Sequence, residues 1–113
     1  MNEEKACRFL EKLIQVTKDQ KVQWRRYEAP GADPARSFAA NVQNMNIYLQ
    51  FDSEKEAPYQ VRFLLQYDPQ MPRTELQYEN SECFWQLLVR LHTLVLSSFP
   101  SAEKAVDDFL EHF

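Results

Sequence analysis

Two histidines, two cysteines and scattered carboxylates are the side chains from which this chain could build a reactive site. A catalytic or metal-binding imidazole needs a partner that orients or completes it. His92 lies in a long apolar run, seven residues after Trp85, with no such partner beside it, and His112 is expected to be exposed. General acid–base chemistry needs two carboxylates held in differently shifted environments. The pairs Glu3-Glu4, Glu54/Glu56, Glu75/Glu79 and Asp107-Asp108 fall in turns, on exposed faces or near helix ends, where solvated charge is their ordinary role. Ser81, Ser97 and Ser98 lack the G-x-S-x-G surroundings of an activated nucleophile. Gly31 is the only glycine, so no phosphate-cradling loop can be built on the usual plan. Cys7 and Cys83 are too few for a metal cluster or a disulfide framework. They fall on two different predicted helices and are expected to be reduced and largely buried. This pattern argues against an enzyme, and no metal or cofactor is expected.

The totals support a binding role more than a chemical one. The chain has 113 residues, 44% hydrophobic, 27% charged and 13% aromatic. That is a single folded domain spanning 1–113, large enough to bury a core without metal or disulfide support. A net charge of −4 disfavours nucleic acid as a partner, because the phosphate backbone attracts a strong positive field. The opening MNEEKACRFLEKL is acidic and amphipathic, unlike a secretory signal. No run reaches the ~18 uninterrupted apolar residues of a membrane span. A cytoplasmic protein with no membrane contact is expected.

Residues 3–19 repeat Ala6, Phe9, Leu10, Leu13, Ile14 and Thr17 at helical spacing, with Asn2 as cap. Val22–Glu28 alternates and reads as a strand anchored by Trp24. APGADPAR at 29–36 is a loop, and 37–42 a short second strand. From Asn44 the alternation is clearest: Ile47, Leu49 and Phe51 share one face, and Tyr48, Gln50 and Asp52 the other. A charged turn then leads into Tyr59–Tyr67, which should pair antiparallel with it. Thr74, Leu76 and Tyr78 mark a last strand. Asn80 or Ser81 caps a long helix over 81–99 that Pro100 stops. Ser101 caps a short final helix whose stripe is Ala102, Val106, Phe109, Leu110 and Phe113. The expected class is α+β: an N-terminal helix, a four- or five-stranded antiparallel meander, and two C-terminal helices packed on one sheet face.

Two surfaces remain as candidate binding sites. The sheet face away from the helices carries Arg25, Tyr27, Tyr48, Gln50, Arg62 and Gln66, able to hydrogen-bond and stack. Trp24, Arg25, Tyr48 and Arg62 could line a shallow pocket there for a small ligand or for a small enzyme's substrate. Arg25, Arg26, Tyr27, Tyr48 and Arg62 offer a small basic–aromatic platform of the kind single-stranded nucleic acids use. On the long helix, Phe84, Leu87, Leu88, Leu91, Leu94 and Val95 face the sheet, while Trp85, Val89, His92 and Leu96 form an adjoining stripe. A helix apolar on two sides is covered on both or meets a partner. Here the flanking helices are expected to cover the second stripe, and a client protein or a homodimer contact is the alternative.

The segment KLIQVTKDQKVQW at 12–24, with Thr17 near a helix end and Trp24 opening a meander, resembles small uncharacterised bacterial and phage proteins of the same element order. That resemblance implies the fold and no activity; Val16 stands where those proteins commonly carry lysine. At the level of fold the chain is also similar to small acidic type III secretion chaperones, which bind extended protein segments as dimers. It departs from them in lacking a helix between its middle strands. The function expected is non-catalytic binding of a macromolecule, a protein partner or a second copy.

Overall fold

In a computed structural model covering Met1–Phe113, helix α1 (Glu3–Lys18) leads into strands β1 (Arg25–Arg26), β2 (Phe38–Val42), β3 (Met45–Phe51), β4 (Val61–Gln66) and β5 (Thr74–Leu76). Helices α2 (Glu82–Ser97) and α3 (Ala102–His112) follow. The five strands form one antiparallel sheet in chain order, so the α+β meander expected from the pattern is the fold observed. No helix interrupts the strands, and no helix is long and apolar enough to cross a membrane.

Asn2 starts α1 by accepting a bond from the Lys5 amide at 2.8 Å. The helix ends without glycine. Gln20 takes the left-handed conformation (φ 59°), and the amides of Gln20 and Lys21 return to the carbonyls of Thr17 and Val16. That is the paired closure a glycine usually makes. Ser81 starts α2 by accepting from the Phe84 amide, and its hydroxyl donates to Glu3 Oε1 at 2.6 Å. At the other end, Thr17 and Leu94 border one recess. The two helices therefore run parallel, side by side.

The alternation in β3 and β4 sets the sheet's two faces. Ile47, Leu49, Phe51, Val61, Phe63 and Leu65 point to the helices and join Leu10, Leu13, Phe84, Leu88 and Leu91 in a core of 20 buried residues. Tyr48, Gln50, Arg62 and Leu64 point away from them. A two-residue turn, Gln43-Asn44, joins β2 to β3 with φ of 50° and 66°. Positive φ at both central residues matches the right-handed twist of paired strands.

Several boundaries and packings differ from expectation. β1 is two residues long rather than running from Val22 to Glu28. Val22 is buried and the Trp24 indole donates to Thr17 Oγ1, so this stretch is held by α1 instead of pairing. β4 loses Tyr59 and Tyr67, both exposed: the Glu56–Tyr59 turn, which contains Pro58, closes through the Tyr59 amide before the strand begins, and Tyr67 lies in the bend that follows the strand. Cys7 is buried, but Cys83 is exposed in the first turn of α2, not buried as expected. Burial and the neighbouring Cys83 thiol push the Cys7 thiol up to about 11.

The largest departure is α3. Its apolar stripe predicts packing along α2, yet none of its residues is buried. Val106, Phe109, Leu110 and Phe113 are 56–93% exposed. Its hinge, by contrast, is fixed. The Arg26 guanidinium donates to Pro100 O (3.1 Å) and Ala35 O (3.0 Å) and lies over the Phe99 ring, which itself packs on Phe38. The molecule measures 52 × 31 × 28 Å, and α3 is the arm that leaves its body.

Candidate functional site

The outer face of the sheet is built by the second set of alternating residues. Ala39, Tyr48 and Leu64 form a small buried cluster with Tyr27 packed on it. The Tyr27 and Tyr48 rings meet at 4.9 Å. The Arg73 guanidinium lies 3.9 Å from the Tyr48 ring centre and donates to the Tyr27 hydroxyl. Tyr48 Oη donates to Gln66 Oε1 (3.1 Å), which also accepts from Asn46, while Gln66 Nε2 donates to Met71 O. Arg62 pairs with Glu75 at 2.6 Å and reaches Gln50. The hydrogen bond from Arg62 holds the Glu75 carboxyl below the usual carboxylate value, and the same bond raises Arg62.

Of the six residues proposed for this face, Tyr48 and Gln50 are thus buried, and Tyr27, Arg62 and Gln66 are tied to neighbours. Arg25 is exposed and makes no ion pair. Within the basic–aromatic set, Arg26 is occupied by the hinge and Arg62 by Glu75. Trp24 stands at the end of α1, bonded to Thr17, rather than with Arg25, Tyr48 and Arg62 around one pocket.

The outer side of α2 is a different surface. Its stripe is broken at the centre. His92 is 5% exposed, stacked on Phe51 at 5.3 Å, with Nε2 2.8 Å from the Arg36 carbonyl. A carbonyl only accepts, so Nε2 carries the proton and donates. Burial lowers the His92 pKa, and the ring is a neutral member of the wall under the 29–36 loop. Trp85 and Val89 lie on one side of this plug and Leu96 on the other. Val89 and Leu96 are each 36% exposed.

Trp85 and Val89 line a groove of about 630 Å³ together with Pro58, Tyr59, Gln86 and Arg90. The indole is fixed by its Nε1 donating to Tyr78 O at 3.1 Å and by an edge-to-face contact with Tyr59 at 5.0 Å. Tyr59 and Arg73 form surface without a periodic pattern that marks them as such. Pro58 was the available signal for Tyr59, since it delays the strand by two residues. Nothing local marks Arg73, whose position over Tyr48 depends on the path of the 68–73 turn.

No group of three or more His, Cys, Asp or Glu side chains is disposed to hold a metal ion. Compared with protein-family models, curated proteins and solved structures, the chain matches none.

Proposed function

We propose that this chain is a non-catalytic, cytoplasmic protein-binding domain that works through the outer side of α2. The observation that carries this reading is the pairing of the Tyr59–Trp85–Val89 groove with an arm, α3, whose apolar stripe covers nothing in the chain. Fixed aromatic side chains beside an apolar cleft are what protein interfaces use as anchors. The cytoplasmic part rests on the two free cysteines, Cys7 and Cys83. Affinity capture from the native host tests the binding role: the wild type should retain a protein that Val89→Asp loses. Equal retention by both would sink the assignment to this surface.

One observation favours a second reading. A volume of about 630 Å³ is within the range of small-molecule sites. A metabolite screen by thermal melting separates the two readings, because a ligand selective for the folded state raises the melting temperature by mass action. A strong shift with one compound, abolished by Trp85→Ser, would favour the small-ligand role.

A further inference from the structure

We infer that the occupant of the Tyr59–Trp85–Val89 groove is α3 of a second copy of this chain, the two copies exchanging arms reciprocally. The inference rests on the protein-binding reading above and names its partner.

An isolated helix of 11 residues is marginal in water. α3 is such a helix, with Phe109, Leu110 and Phe113 more than half exposed, so its order calls for a surface to lie on. Its own α2 is blocked. Folded back from Pro100, α3 would have to pass Leu96 and His92 to reach Val89, and His92 is already covered by the loop that bonds it through Arg36. Arg26 clamps the hinge at Pro100 and holds the arm away from that path. A second copy meets no such obstacle.

The charges agree with this pairing. The polar residues of α3 include Glu103, Asp107, Asp108 and Glu111 against one lysine, Lys104, so the arm is acidic on balance. Arg90 stands in the groove without an ion pair, and the groove's one acid, Glu82, lies about two helical turns away, accepting a bond from Gln86. An acidic arm is the wrong sign for an anionic lipid surface, which recruits helices with Lys and Arg on the polar face. The area also suffices. Large aromatic side chains bury about 150–250 Å² each, so two arms in two grooves remove roughly 1,000 Å² or more, the lower bound of a specific interface. Exchange of one element between identical chains closes as a two-fold dimer.

Sedimentation of the full chain at rising concentration tests this. The wild type should become a dimer. Leu110→Asp, on an arm that supports no core residue, should stay monomeric with an unchanged urea midpoint, losing far-ultraviolet dichroism by no more than the helix of α3 itself. Val89→Asp should also stay monomeric, while an equal mixture of the two variants should form a weaker dimer through the one intact arm and groove. A wild type that remains monomeric throughout overturns the inference, as does a dimer indifferent to Leu110→Asp. If the wild type is monomeric but Val89→Asp still abolishes capture of a host protein, the binding reading stands and only the second copy is removed as its partner.

Discussion

The outer face of the sheet and the outer side of α2 both carry aromatic and polar residues beyond the needs of the core, yet one is closed and the other open. On the sheet, Arg73 lies over Tyr48, Gln66 takes two donors, and Arg62 is paired with Glu75. Beside α2, Tyr59 and Trp85 hold each other in place but leave the groove next to them unfilled. The difference comes from what crosses each surface. The 68–73 turn folds Arg73 over the sheet, whereas the 29–36 loop covers only His92 in the middle of the α2 stripe. Stickiness of composition is therefore a poor guide to binding; what matters is whether the chain's own loops have already used those groups.

The sharpest way to break this contrast is to truncate one large residue on each surface. Tyr48→Ala removes a ring that is 4% exposed and should cost about 2–5 kcal/mol in urea unfolding, a loss comparable to Leu91→Ala in the core. A cost near zero at Tyr48 would mean that the sheet face is not a closed layer. Arg73→Ala, which uncovers the Tyr27–Tyr48 pair, should cost about 1 kcal/mol. Val89→Ser, at the open groove, should change monomer stability by no more than about 0.5 kcal/mol while weakening association. A larger loss would mean that Val89 belongs to the core.

Acid separates the two regions in a second way. The His92 pKa lies below its ordinary 6.5 because burial disfavours the charged ring. The unfolded chain then binds the extra proton first, so His92's contribution is complete above pH 6.5 and is lost as pH falls toward its folded value. The Glu75 pKa lies below its ordinary 4.5, chiefly through the bond from Arg62. Its contribution is complete above that value and lost at lower pH. Urea midpoints measured from pH 8 to pH 3 should fall in two steps, with His92→Gln removing only the first and Glu75→Gln only the second. The smallest perturbation is chemical: a thiol reagent applied to the folded protein should label exposed Cys83 and spare Cys7, which is buried and whose raised pKa leaves little thiolate. Equal labelling would mean that α1 opens away from the start of α2.

Much of the architecture was legible because it depends on local chemistry. The period of Ala6, Leu10, Leu13 and Ile14, the alternation of Ile47, Leu49 and Phe51, and the caps Asn2 and Ser101 all act within a few residues and are legible in place, while local pattern leaves Asn80 and Ser81 both open as the cap of α2. The candidate site was only partly legible. Helical spacing marks Trp85 and Val89 as an apolar stripe outside the sheet-facing one, but alternation places Tyr59, the opposite wall of the groove, on a core-facing strand. Helical spacing puts His92 in the stripe, and the loop residue that covers it, Arg36, lies 56 residues away.

The amino-acid sequence alone thus determined the α+β order, the helix limits and the two-sided apolar excess of residues 81–99, since propensity, periodicity and capping are properties of neighbouring residues. Tertiary structure decided which of that excess is used. It sealed the sheet face with Arg73, plugged the α2 stripe at His92, and turned α3 outward from a hinge clamped by Arg26. Each of these depends on residues distant in the chain meeting across a fold, and their separation carries no periodic signal.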